Sequence, residues 1–172
     1  MAPTRHVYVL RHAKSSWDDP SLTDHDRPLN GRGRRAAKAM ARHIRDEGIA
    51  PELVLCSTAA RARQTLERIE PALGTRSTSV EPDLYGADEP ALLDRLRGLP
   101  DTVGSVMLIG HNPGLQDLVL ALAAPAPARD EVAAKFPTAA LATFAFAGRS
   151  WRDLAPGGAE LVAYVRPRDL RE

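Results

Sequence analysis

Apolar residues recur along this chain in two rhythms that alternate. Short apolar runs occupy His6–Leu10, Leu53–Cys56, Ser77–Glu81 and Ser105–Gly110, each bounded by turn residues or charges. Runs of that length read as buried strands. Between them, apolar positions return every three or four residues, the spacing of one helix face. A first helix is expected from near Asn30, with Ala37, Met40, Ala41 and Ile44 on one side. A second starts near Ser57 or Thr58 and aligns Ala62, Thr65, Leu66 and Ile69. A third starts at Asn112, with Pro113 in its first turn and Leu115, Leu118, Val119 and Leu122 in line. Pro90–Arg97 reads as a shorter helix.

Strands alternating with helices imply an α/β fold, a three-layer α/β/α sandwich around a mostly parallel sheet. The last third breaks the alternation. After a Pro/Ala-rich loop at Ala123–Ala128, the segments Thr138–Phe146 and Ala159–Arg166 read as two strands joined by a Gly/Pro turn region. They predict an antiparallel edge. With no internal repeat and no composition shift, residues 1–172 are expected to form one domain. Ligands of open α/β sheets bind at the carboxyl ends of strands. That rule directs attention to Arg11-His12, Ser57–Arg61 and His111-Asn112.

Composition narrows the classes of function. The chain has 172 residues, 44% hydrophobic and 26% charged, as in ordinary globular proteins. Its 23 basic residues face 22 acidic ones, a net charge of +1, which lacks the bias of a nucleic-acid binder. No apolar run reaches membrane-spanning length, and the start, MAPTRHVYVL, has no signal-peptide pattern. The lone cysteine, Cys56, excludes an intrachain disulfide and reads as core packing. The expectation is a cytoplasmic protein without membrane or nucleic-acid partners. Arg32, Arg34, Arg35, Arg42 and Arg45 read as a solvated helix face.

Three motifs carry chemistry. Val9-Leu10-Arg11-His12 puts an arginine beside a histidine directly after a buried strand. The strand fixes the imidazole, the guanidinium neutralises a phosphate, and a neutral ring nitrogen can attack phosphorus. Ser57-Thr58-Ala59-Ala60-Arg61 places a hydroxyl cap and Arg61 where a positive helix end favours an anion. Gly110-His111-Asn112-Pro113-Gly114 sets His111 between a strand and a helix start, with Asn112 as cap and two glycines permitting close backbone approach. Each motif alone has a bland reading as an ordinary strand end or capped helix. Together they fall at the predicted carboxyl ends of three different strands.

In order and spacing, from Val7 to about Val165, these motifs resemble the histidine phosphatase (phosphoglycerate mutase-like) superfamily. Arg61-Ala62-Arg63-Gln64-Thr65 and Gly110-His111 lie where that family has them, and Arg11-His12-Ala13-Lys14-Ser15 is most similar to its SixA-type phosphohistidine phosphatases. The resemblance implies catalysis by His12, Arg11, Arg61 and His111, with His12 as nucleophile and the other three binding phosphate. It implies no metal and no cofactor, and a phosphorylated protein or small-molecule phosphate as partner. Ala13 replaces the family's usual glycine, and Asn30 stands where threonine is more common. Asp18 occupies a position where relatives often have asparagine, so it is expected to point away from phosphate or to be protonated. No general acid aligns within Glu81-Pro82-Asp83-Leu84-Tyr85-Gly86-Ala87-Asp88-Glu89, which leaves Asp18 and Glu81 as candidates. An acid-poor site favours a phosphoramidate over a phosphate monoester, because nitrogen takes its proton readily.

Other readings of the same residues are weaker. His12-Ala13-Lys14 with Asp19 matches a phospholipase D-like spacing, but the segment that should follow is missing. His6, His25 and His43 have no partner at metal-ligand spacing. A small-molecule phosphomonoesterase and a non-catalytic phosphate-binding module remain as alternatives. Ser15–Leu29 and Ala123–Pro137 are expected to border the pocket, and the oligomeric state is not legible.

Overall fold

The computed structural model describes residues 2–74 and 76–170. Among them six strands form one sheet: β1 (Thr4–Arg11), β2 (Leu53–Ser57), β3 (Ser77–Glu81), β4 (Ser105–Gly110), β5 (Leu141–Ala147) and β6 (Glu160–Val165). Their order is β3-β2-β4-β1-β5-β6, with β3, β2, β4 and β1 mutually parallel and β5 pairing antiparallel with both β1 and β6. The helices are α1 (Gly31–Asp46), α2 (Ala60–Leu73), α3 (Glu89–Arg97), α4 (Gly114–Leu122) and α5 (Pro127–Ala134). The expected three-layer architecture, mostly parallel with an antiparallel edge, is the one found.

The layers follow from side-chain alternation along the central strands. Leu10, Val54, Cys56, Met107 and Ile109 join Met40 and Ile44 of α1 and Leu66, Ile69 and Leu73 of α2 in one apolar cluster. Their sequence neighbours Val7, Val9, Leu55, Val106 and Leu108 join Leu92, Leu96, Leu115, Leu118 and Val132 of α3, α4 and α5 in the other. A strand covered on both faces has no polar side, so these segments read as unbroken apolar runs. β3, at the sheet edge, has no buried residue.

Several boundaries differ from expectation. Asn30 caps α1 as expected, its side chain accepting from Gly33 N at 2.8 Å. The second helix begins at Ala60, not Ser57 or Thr58, because Ser57 is the last residue of β2 and its Oγ accepts from Ala59 N at 3.2 Å. The third begins at Gly114, with Pro113 in the cap position and Asn112 turned to donate to Phe136 O at 2.8 Å. Ala123–Pro137 is no plain loop, since Pro127–Ala134 forms α5 and buries Val132. β5 starts at Leu141 rather than Thr138, because Ala139 lies in the left-handed region at φ 61°.

Topology opens the site. β1 and β4 end side by side, with Arg11 paired to Gly110. From β1 the chain leaves through α1 toward β2, and from β4 it leaves through α4 and α5 toward β5 on the opposite side. Connections that diverge leave a crevice between the two strand ends. Two glycines bring the walls close. A Cβ on Gly33 would overlap the Lys14 carbonyl, and one on Gly114 would overlap the Ala87 carbonyl. The atoms nearest to a Cβ on Gly110 belong to the Leu115 side chain, at ordinary contact distance, so of the two glycines expected to allow close approach, Gly114 alone does so.

Candidate active site

His12 follows β1 and continues its pairing, with N–H donated to Gly110 O at 3.0 Å. The residue is buried, and its Nδ1 lies 2.7 Å from Ala13 O. A carbonyl can only accept, so Nδ1 carries the proton and Nε2 keeps its lone pair. Arg61 Nε points at that nitrogen from 3.4 Å. Burial, reinforced by the charges of Arg61 and Arg11, pushes the His12 pKa down to about 3. The ring is therefore neutral at physiological pH, as a nitrogen nucleophile must be.

His111 follows β4, its ring centroid 5.1 Å from that of His12. Its Nε2 meets Ser57 Oγ at 2.8 Å, which ties the ends of β4 and β2 together. Burial, aided by Arg61, pushes its pKa down to about 4. Arg61 stands in the first turn of α2, buried, with its guanidinium at the cavity. Arg11 donates to Phe136 O at 3.1 Å, while its buried Nε has no partner among the described residues. Burial, and then the like charge of nearby Arg61, lower the Arg11 pKa.

These four side chains line one cavity of about 300 Å³. Lys14 and Arg27 also line it, which makes four formal cations with Arg11 and Arg61, and no carboxylate among the described residues lines it. Thr65 fixes the wall behind His12: its hydroxyl accepts from Ala13 N at 2.9 Å and donates to Arg61 O at 2.8 Å. Gln64 accepts from Leu29 N at 2.9 Å and holds the far end of the Ser15–Leu29 segment. Ala139 N donates to both Arg11 O and His12 O at 3.0 Å, so the strained residue before β5 clamps the same corner.

The structure adds groups that carry no motif in the sequence. Asp24 accepts from Arg61 NH2 at 3.0 Å through Oδ2 and from Arg27 NH2 at 2.9 Å through Oδ1. Its backbone oxygen takes Arg61 NH1 at 2.7 Å, and the Tyr85 hydroxyl donates to Oδ2 at 2.5 Å. These donors, Tyr85 foremost, hold the Asp24 carboxyl well below the usual range, so it is an anion that orients two arginines. Arg27 also donates to Ser15 Oγ at 2.6 Å and stacks under the exposed Trp17 ring at 3.5 Å. The one signal for Asp24 in the sequence was its spacing of three from Arg27.

Neither suspected acid reaches the cavity. Asp18 is exposed and does not line it, so it points away. Glu81 forms a two-pronged pair with Arg95, both contacts 2.8 Å, and accepts from Ser79 Oγ. Those donors hold its carboxyl below the ordinary value at the sheet edge, which removes it as a proton donor here. Cys56 is buried, and burial pushes its thiol up to about 12, consistent with packing. Arg63 lies exposed on the outside of α2.

Comparison with known proteins gives this geometry a context. The family model of the histidine phosphatase superfamily (branch 1) matches residues 7–88. An uncharacterised protein of Mycobacterium tuberculosis strain H37Rv is 37% identical over 163 residues, covering 92% of this chain and 100% of that protein. The phosphohistidine phosphatase SixA of Escherichia coli K12 is 32% identical over 119 residues, 67% of this chain and 73% of its own. A solved structure from Nakamurella multipartitia, assigned to the SixA phosphohistidine phosphatases, superposes with a TM-score of 0.85 at 31% identity. It covers 96% of this chain and 98% of its own.

Proposed function

For a chain that belongs to the histidine phosphatase superfamily, in its SixA-type branch, we propose that this phosphatase works through a covalent phosphohistidine on His12 and takes a phosphorylated histidine of another protein as substrate. The observation that carries the reading is His12 itself. It is a buried neutral imidazole whose Nδ1–H is held by Ala13 O, and whose Nε2 opens on a cavity with four cations.

The phosphoryl group enters with its oxygens toward Arg11 and Arg61, which neutralise its charge and set it in line with Nε2. The Nε2 lone pair forms a bond to phosphorus as the bond from phosphorus to the leaving atom breaks and its electron pair departs with that atom. The new phosphoimidazole carries a positive charge on a ring whose Nδ1–H already points at a carbonyl, which stabilises it. Water then attacks phosphorus from the vacated side, the P–Nε2 bond breaks, and inorganic phosphate leaves with His12 neutral again.

The lining supports this substrate class. With no carboxylate among the described residues lining the cavity, an alkoxide leaving group finds no positioned acid there. A phosphohistidine protonated on its other ring nitrogen departs as neutral imidazole and needs none. The name of the Escherichia coli relative supports the same class. The test is phosphate release measured side by side on a phosphohistidine protein, an aryl phosphate and an alkyl phosphate. Turnover should fall in that order, and equal rates on the two esters would contradict the assignment. Positioned proton transfer contributes on the order of 10²–10⁴, so the alkyl ester should lag by a gap of that size.

A further inference from the structure

A second, larger depression of about 590 Å³ lies beside the catalytic cavity of about 300 Å³, and both are lined by Lys14 and Thr138. It runs between α1, the end of α5 and the segment after β6. Lys14, Arg32, Lys135, Arg166 and Arg168 line it, against one carboxylate, Glu131. Asp169 offsets part of the charge of Arg166 and Arg168, with contacts of 3.0 and 4.0 Å. Lys14, Arg32 and Lys135 have no ion-pair partner among the described residues. On a chain of net charge +1 this is a local excess of positive charge placed next to the catalytic mouth.

Helix electrostatics does not account for the position of Arg32. The first turn of α1 holds Arg32 and Arg34 and no acidic residue, although a helix start favours carboxylates. An anion from outside would relieve that arrangement. The depression is about twice the size of the phosphate cavity, more room than one further phosphate group fills. Ala36, Ala134, Pro137 and Pro167 give it apolar wall between the cations, suited to the methylene stems of acidic side chains.

We propose that this trough docks an acidic segment of the substrate protein, next to its phosphorylated histidine, with Arg32, Lys135 and Arg168 as the selective contacts. The proposal rests on the reading of the substrate as a phosphohistidine protein. The trough then sets KM for protein substrates, while the catalytic cavity alone handles a small aryl phosphate.

The experiment compares two phosphohistidine peptides, one flanked on both sides by glutamates and one by glutamines, with an aryl phosphate as control. It uses the wild-type chain and an Arg32→Glu/Lys135→Glu variant whose thermal unfolding matches wild type. Several weak surface ion pairs acting together should give the glutamate peptide a KM advantage of roughly tenfold at low salt, shrinking as salt screens them. The variant should lose that advantage and keep wild-type turnover of the aryl phosphate. Equal cleavage of the two peptides by wild type, or an advantage that survives in the variant, overturns the trough and leaves the phosphohistidine reading standing. Failure to cleave either peptide while the aryl phosphate turns over overturns both.

Discussion

Burial gives His12 a protonation state that a solvent-exposed histidine loses in mild acid. Its pKa is moved from 6.5 to about 3, so the proposed nucleophile stays unprotonated well below neutrality. The acid limb of kcat/KM should therefore lie far below 6.5, and a loss of activity centred near 6.5 would contradict a buried neutral nucleophile. The same shift acts on stability. Between the folded value of about 3 and the unfolded value of 6.5, the unfolded chain binds the extra proton. Stability is thus full above the unfolded value and declines as pH falls from there toward the folded one, and His111 adds to the slope. Urea midpoints recorded across this window should drop, and His12→Asn should flatten the slope. At Arg61 the fork geometry matters as well as the charge, since Asp24 aligns it through two contacts. Arg61→Lys removes at least one charge-assisted hydrogen bond, each about 1.5–3 kcal/mol, so kcat/KM should fall roughly 10- to 100-fold. Asp24→Asn should give a smaller loss, concentrated in KM, if its task is to position Arg61 and Arg27. Sequence pattern drew attention to His12, Arg11, Arg61 and His111 because each lies at or just after the carboxyl end of a parallel strand, and the four do line one cavity. Asp24 and Tyr85 were not legible, because their partners lie 37 and 61 residues apart in the chain.

Elements were readable where local chemistry decides them. α1 announced itself through Asn30, whose side chain caps Gly33 N, and Asn30→Ala should cost about 1 kcal/mol in urea unfolding. The core faces of α1 and α2 were equally visible as Met40, Ile44, Leu66 and Ile69. α5 escaped because Val132 is its one buried residue, so Pro127–Ala134 shows no apolar face at helical spacing. Ser57 ends β2 and also meets His111, and Asn112 turns to Phe136, so the expected caps of α2 and α4 are engaged elsewhere by contacts distant in sequence. Gly33 is a position where element and site meet. Gly33→Ala should force the Lys14 backbone away, lowering both the unfolding midpoint and aryl phosphate turnover. Unchanged turnover in a folded Gly33→Ala protein would mean that the strand-end loop is not held by α1.

On the scale of the whole molecule, the order β3-β2-β4-β1-β5-β6 brings His12, Arg61 and His111 from three strand-to-helix junctions to one crevice. The apolar runs and their alternation with helices were sufficient to anticipate the layers. The strand order and the basic trough beside the cavity depend on contacts distant in sequence. Positive charge in the crevice comes from Arg11, Lys14, Arg27 and Arg61, so phosphate release should persist in a chelator, and vanadate should inhibit competitively as a phosphate-like oxyanion. Loss of activity on chelation, restored by a divalent ion, would count against charge neutralisation by arginine. The most direct measurement of the central claim is the covalent state of the protein during turnover. After brief mixing with a rapidly cleaved phosphoramidate and an alkaline quench, mass spectrometry should find one acid-labile phosphoryl group, on the peptide that contains His12. It should be absent from His12→Ala, which should also be inactive. A His12→Ala protein that keeps wild-type turnover, or a phosphoryl group mapped to another residue, would contradict the account.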